Sequence, residues 1–382
     1  MNILIALTYY RPHYSGLTIY TERLARALAQ RGHRVMVLTS RFDPRLPARE
    51  VRDGVEIYRP RVLMRISKGV IMPAMPFWAI RLIQQADVVN LHVPQLDAAP
   101  ISLLARLLRR PVVLTYHCDL HLPKGFVHKV ANWVSNLANH ITARAANRLV
   151  TNTLDYAEAS PFLRHYLDRT ESIVTPAELP PVTTDEITHY RQEWDLQPGQ
   201  RIIGMAARFA TEKGVEYLVE AMPHILEKHP RARVLFLGQY QNVLGEEEYA
   251  HRLAPLIDQI GSAWKFLGVV PSTALAAFFR LCDLTVLPSI NGTESFGIVQ
   301  VESMMSGTPV VATDLPGVRQ PVRMTGMGRI VPPRNALALG EAIIDVLDHP
   351  DKYQGDPAQI ARMFAPASIA EQYEKVFGAV LS

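Results

Sequence analysis

With 382 residues the chain is too long for one ordinary hydrophobic core, so two domains are expected. A hydrophobic share of 48% against 20% charged residues describes a globular protein, and no run of about 18 apolar residues is present, so no membrane-spanning helix is expected. Net charge is only +4, yet residues 1–175 hold 23 Lys and Arg against 12 Asp and Glu (+11), while the remainder holds 17 against 24 (−7).

A basic first half suits a phosphate-bearing ligand, an anionic membrane or a nucleic acid; it is also what two mutually attracting domains would show. No recognised nucleic-acid motif accompanies the basic half, so no nucleic-acid partner is expected. Two distant cysteines, Cys118 and Cys282, give no disulfide framework and fit a reducing, cytoplasmic setting.

The opening MNILIALTYY runs straight into a strand and lacks the features of a signal peptide. The loop TYYRPHYSG follows, with Gly16 opening a helix whose Leu17, Tyr20, Leu24, Ala27 and Leu28 recur at helical spacing. Gly32 ends that helix. A glycine at a helix start favours an anion, but G-x-G-x-x-G and Walker A sequences are absent. Further strands are predicted at RVMVLT, DVVNLH, PVVLTYH and NRLVTN, alternating with helices. That alternation implies a doubly wound parallel sheet.

His117 falls at the end of PVVLTYH, where a side chain can face a ligand. His117 and His121, with Cys118 between them, have a spacing compatible with a metal pair, but no distal ligand cluster is evident. Local hydrogen bonding is the alternative. In KGFVHKVANWVSNLANHITARAANR, residues Phe126, Val130, Trp133, Leu137 and Ile141 lie at helical spacing, with Lys124 and Lys129 nearby. The segment from Tyr58 to Gln84 likewise mixes arginines with apolar residues. Such surfaces can lie on an anionic membrane, or their apolar residues can belong to the core.

Residues 173–200 are rich in proline, threonine and charge and read as a domain connection. Alternation then resumes with RIIGMAA, ARVLFLG, WKFLG, DLTVLP, TPVVAT and GRIVPP as strands. Arg208 and Lys213 stand in the loop after the first of these, ahead of a helix whose N-terminus is already positive. An anion there would be matched by one planar fork and one point charge. In ESFGIVQVESMMSG, Glu294 precedes Phe296-Gly297 and a helix containing Glu302. Amides of Gly297, Ile298 and Val299 would be unpaired first-turn donors. The two carboxylates need not share a helix face, so separate grips on a polyhydroxyl ligand fit better than an acid/base pair.

Across nearly its whole length the chain resembles the family 4 retaining glycosyltransferases. The resemblance rests on the Gly16 loop, RALAQRGHRVMVLTS, His117, GMAARFATEKGVEYLVEA, FLGVVP, CDLTVLPS, ESFGIVQVE and SGTPVVATDLPGV. It implies an α/β GT-B fold of two facing Rossmann-like domains with a cleft between them. Residues 1–178 would bind the acceptor and 179–364 a nucleoside-diphosphate sugar, UDP- or GDP-linked. Residues 365–382 would form a helix crossing back to the first domain. Glu302 would hold the ribose, and Arg208 and Lys213 the diphosphate, aided by amides of Gly16 and of Gly297–Val299, beside Phe296. Glu294 would contact the sugar and His117 would lie at the reaction centre.

The resemblance also implies retention by front-face attack, with no metal and no cofactor. A lipid-linked acceptor and peripheral contact with the cytoplasmic face of a membrane are expected. An epimerase-type enzyme and a non-catalytic binding subunit are the alternatives. The chain departs from the family pattern at Leu17, at LGQY, in the linker VTPAELPPV and at Gln320.

Overall fold

The computed structural model describes residues 1–66, 69–119 and 126–382. The chain divides into two units: residues 1–176 with 364–382, and residues 177–363.

In the first unit the strands are β1 (Asn2–Ala6), β2 (Arg34–Leu38), β3 (Arg49–Arg52), β4 (Val55–Tyr58), β5 (Met64–Ile66), β6 (Gly69–Ile71), β7 (Val88–Val93), β8 (Val112–Tyr116), β9 (Arg148–Thr151) and β10 (Thr170–Ser172). Among the described residues they make an eight-stranded sheet in the order β10-β9-β8-β7-β1-β2-β4-β3, plus the separate antiparallel pair β5-β6. All pairings in the large sheet are parallel except β3 with β4.

The helices are α1 (Gly16–Gln30), α2 (Met75–Gln85), α3 (Ala98–Leu107), α4 (Phe126–Ala145) and α5 (Leu154–Ala159). Because side chains alternate across a strand, β1 feeds two cores. Leu4 and Ala6 pack with Leu82 of α2 and Ile101 of α3. Ile3 and Ile5 pack with Leu24 and Leu28 of α1. This is the two-sided burial expected of a parallel sheet.

Apolar runs predict only five of the eight strands. The turn joining β3 to β4 is Asp53-Gly54, with φ of 52° and 79°. These are hairpin-turn angles at residues that tolerate them. β3 carries Arg49, Glu50 and Arg52 as a charged edge, with Arg49 and Arg52 exposed and Glu50 half-buried, so no apolar alternation marks it.

The second unit is a six-stranded, all-parallel sheet of β11 (Arg201–Ala206), β12 (Ala232–Leu237), β13 (Trp264–Gly268), β14 (Leu284–Leu287), β15 (Val310–Thr313) and β16 (Gly328–Val331), in the order β13-β12-β11-β14-β15-β16. Its helices are α6 (Thr184–Glu193), α7 (Val215–Lys228), α8 (Glu247–Ile260), α9 (Ser272–Leu281), α10 (Ile298–Met305), α11 (Gln320–Thr325), α12 (Ala336–Asp348) and α13 (Pro357–Met363). The strand order reverses between β11 and β14, which places the ligand-binding crevice of such a sheet at their carboxyl ends.

The stretch read as a plain connection contains α6. Its start is a capping box, in which Thr183 accepts from the Glu186 amide and Glu186 accepts from the Thr183 amide. Ile187 and Tyr190 of α6 and the following Trp194 pack with Phe278 of α9.

The last helix, α14 (Pro366–Leu381), belongs to the first unit and lies against α1. Tyr373 and Phe377 are fully buried there. Each such ring contributes about 1.5–3 kcal/mol by removal from water. The Tyr373 hydroxyl bonds Tyr20 at 2.8 Å and Thr115 at 3.0 Å.

Candidate active site

In the second unit the loop after β11 carries Arg208 and, in a short 3-10 turn, Lys213. Gly214 then turns left-handed, with φ +65°, and starts α7. A Cβ on Gly214 would lie 2.1 Å from the Pro288 carbonyl oxygen, so glycine is what lets this loop touch the loop after β14. The Ile290 amide bonds the Glu212 carbonyl at 3.1 Å across the same seam. Lys213 Nζ lies 2.5 Å from Glu294 Oε2, with both side chains about four-fifths buried. Arg208 donates to Glu212 at 2.7 Å and is half exposed. Thr211 is tied by its amide and hydroxyl to Glu246 at 2.9 and 2.7 Å.

Beyond Glu294 the chain buries Phe296 and turns left-handed again at Gly297, with φ +79°, to open α10. A Cβ there would meet Leu287 at 2.3 Å. Gln300 holds this turn: its amide nitrogen donates to the Phe296 carbonyl at 2.9 Å and the Val318 carbonyl at 2.8 Å. The Gln300 backbone amide turns back to Gly297 O at 3.0 Å, while those of Ile298 and Val299 precede the first intrahelical acceptor. Glu302, one turn further along α10, is buried.

His117 follows β8 in the first unit and is also buried. Its Nε2 is 2.9 Å from His92 Nδ1, and the two rings stack at 5.1 Å. Tyr20 of α1 meets the His117 ring edge-on at 4.8 Å. Gly16 opens α1 one turn before Tyr20, beyond the Ser15 cap that accepts from the Thr18 amide. Burial pushes the His117 pKa down to about 3 and holds His92 well below the usual range. The loop is fastened just past His117 by Asp119, which accepts from Tyr116, Tyr156 and Ser160 at 2.8, 2.9 and 2.9 Å.

Lys213, Glu294 and the start of α10 therefore come together with Arg208 on neighbouring loops of one unit, while Gly16 and His117 share the other. His121, proposed with His117 as a metal pair, lies outside the described residues, as does Lys124. Among the described residues no group of three or more His, Cys, Asp or Glu side chains is placed to hold a metal ion. Sequence reasoning missed His92, Asn90 and Gln300. Asn90 and His92 sit two apart on β7 and so share one face of an otherwise apolar strand, which was a readable signal.

Two Rossmann-like units, each built on a largely parallel sheet, are the architecture of the GT-B fold. Residues 186–362 match the model for Glycosyl transferases group 1, and residues 15–176 that for the Glycosyl transferase 4-like domain. The chain belongs to the family 4 glycosyltransferases.

It is similar to the phosphatidyl-myo-inositol mannosyltransferase of Mycobacterium leprae, 26% identical over 96% of this chain and 93% of that protein. The D-inositol 3-phosphate glycosyltransferase of Pseudarthrobacter chlorophenolicus is 27% identical over 88% and 82%. In fold it is similar to Anabaena HepE, solved in complex with UDP-glucose, with a TM-score of 0.77 at 19% identity over 99% of this chain and 100% of that one.

Proposed function

We propose that this glycosyltransferase moves a sugar from a nucleoside-diphosphate sugar to an acceptor hydroxyl with retention of anomeric configuration and without a metal. The observation that carries this reading is the seam between the loops at 208–214 and 288–297. It sets one guanidinium, one ammonium and the amides of a helix start on adjoining loops. A diphosphate is the ligand that such a set neutralises. Glu302, being buried, is already desolvated and favours partners that donate to it, as vicinal ribose hydroxyls do. Glu294, held by Lys213, would accept from hydroxyls of the donor sugar.

Transfer is a front-face displacement. The bond from the anomeric carbon to the diphosphate oxygen breaks, and the acceptor oxygen forms its bond on the same face. The acceptor proton passes to the departing phosphate oxygen. Arg208 and Lys213 stabilise the negative charge that grows on that diphosphate, so the protein's contribution is chiefly electrostatic. The UDP-glucose bound by HepE makes UDP-sugars the first donors to try, and GDP-sugars the second.

The acceptor proposed is lipid-linked and reached at an anionic membrane surface. α2, α3 and α4 lie side by side on one face of the first sheet. Phe77, Leu103, Leu107 and Trp133 are each more than half exposed on them, and none of the three helices contains an Asp or Glu. Arg81, Arg106 and Arg144 supply positive charge. Bare apolar side chains with only cations among them suit an anionic interface better than water. Among the described residues no helix is long and apolar enough to cross a membrane.

The decisive experiment is a screen of UDP-, GDP- and ADP-sugars by thermal shift and by donor hydrolysis, with and without a chelator. A donor that stabilises the protein and is hydrolysed equally in both conditions supports the reading. No stabilisation by any nucleotide sugar, or activity abolished by the chelator, refutes it.

A further inference from the structure

The polar groups behind His117 determine which of its nitrogens carries the proton, and Val113 is where that determination starts. Asn90 Nδ2 lies 3.2 Å from the Val113 carbonyl oxygen and 2.9 Å from Thr115 Oγ1. A carbonyl only accepts, so that Asn90 atom is the amide nitrogen, and Asn90 Oδ1 is an acceptor. His92 Nε2 is 2.7 Å from Asn90 Oδ1 and must donate to it. Buried and neutral, His92 then has a bare Nδ1. Two groups approach that nitrogen: Thr21 Oγ1 at 3.1 Å and His117 Nε2 at 2.9 Å. Thr21 gives its proton to the Leu17 carbonyl at 2.9 Å, so His117 Nε2–H is the donor to His92. His117 is left with its proton on Nε2 and a lone pair on Nδ1, for which the structure shows no partner among the described residues.

We propose that Asn90 and His92 are positioning residues that lock His117 in the Nε2–H tautomer, so that its Nδ1 receives a hydrogen bond from a sugar hydroxyl. The inference rests on the glycosyltransferase reading for the identity of that hydroxyl, but the lock itself does not. A ligand group facing His117 Nδ1 has to be a donor; a phosphate or carboxylate oxygen there would meet a lone pair. The lock is built from the strands up. Asn90 pairs in register with Val113, and His92 with Thr115, so the sheet itself sets the spacing of the chain of bonds. Tyr373 closes it from behind through Thr115.

The test is 15N NMR of the full-length protein labelled at histidine nitrogens, with the His117 signals assigned by their loss in His117→Asn. Expected in the wild type is one tautomer of His117, protonated at Nε2 and bare at Nδ1, unchanged from pH 8 down to pH 5.5. His92→Phe keeps the ring but removes the acceptor and should give mixed tautomers and a kcat lowered about tenfold to a hundredfold at unchanged donor KM. His92→Gln retains one acceptor and one donor and should restore both. A His117 protonated at Nδ1 or on both nitrogens in the wild type overturns the proposal. So does a His92→Phe protein whose His117 tautomer is unchanged while turnover falls. If no nucleotide sugar is turned over but the single tautomer is seen, the lock stands and the assigned reaction fails.

Discussion

Lys213 and Glu294 are bonded to each other, 2.5 Å apart and largely out of water. Neither is therefore an independent group. Removing the ammonium leaves a carboxylate uncompensated beside the place proposed for a diphosphate. Lys213→Ala should lower kcat by about 10²–10³-fold, the effect of losing one charge-stabilising donor. Adding Glu294→Gln to it should recover part of the loss, with a coupling of about 0.5–3 kcal/mol in the double-mutant cycle. Transfer rates on the four proteins check this; near-normal turnover by Lys213→Ala removes Lys213 from the reaction.

Glu302→Ala should weaken nucleotide-sugar affinity by roughly tenfold to a hundredfold, since a hydrogen bond to a charged group is worth about 1.5–3 kcal/mol. Titration calorimetry with donor and with the free nucleoside diphosphate reads it. Unchanged affinity for both would end the ribose assignment.

Gly214→Ala should be costly although it adds one carbon. The left-handed backbone and the 2.1 Å approach to the Pro288 oxygen both oppose a Cβ. The seam with the loop after β14 must open, with a stability loss of about 1–3 kcal/mol and a drop in turnover. Thermal melts and rates together check this, and a protein with native melting and native rates would show that the seam tolerates the carbon.

Stability should fall as pH drops below about 6.5. His117 is neutral in the folded protein down to about pH 3 and His92 is shifted the same way, whereas both protonate near their ordinary value once unfolded. The unfolded chain then binds more protons, so stability rises with pH through this window. Each histidine steepens the slope by up to about 1.4 kcal/mol per pH unit. Urea denaturation between pH 7.5 and 4.5 should give a shallower decline for His117→Asn than for the wild type; parallel declines would contradict the shift.

Trp133→Ser and Arg106→Glu should each reduce co-sedimentation with anionic vesicles at low salt, the second more steeply as salt is lowered. Binding by neither the wild type nor the variants at low salt would exclude the proposed membrane face.

Much of this was legible in the chain because strands buried on both sides announce themselves as apolar runs, as β1 and β7 do. The strands that escaped are those whose evidence is of another kind. β3 and β4 are signalled by the Asp53-Gly54 turn rather than by alternation, and α6 by the Thr183–Glu186 cap inside a proline-rich stretch. At the site, spacing put Lys213 and Glu294 near a ligand. It could not show that they pair, because these two residues, 81 apart in the chain, are brought into contact by two loops that meet at Gly214 and Pro288. His92 went unread because DVVNLH looks like an ordinary core strand. Only the stacking of β7 beside β8 turns its two polar residues into a chain of bonds.

The interruption of the first unit by the whole of the second has a consequence for how the protein is made. When residue 176 leaves the ribosome, the α1 side of the first sheet still lacks α14. Ile3, Ile5, Leu24 and Leu28 then stay without Tyr373 and Phe377 until residues 177–363 have also been synthesised. At a synthesis rate of about 5–20 residues per second that is a delay of roughly 10–40 s. The second unit can complete its fold during that interval, while the first waits as a sticky intermediate. A chaperone that binds apolar sheet surface should therefore be captured by chains stalled between residues 200 and 360, and released once α14 emerges.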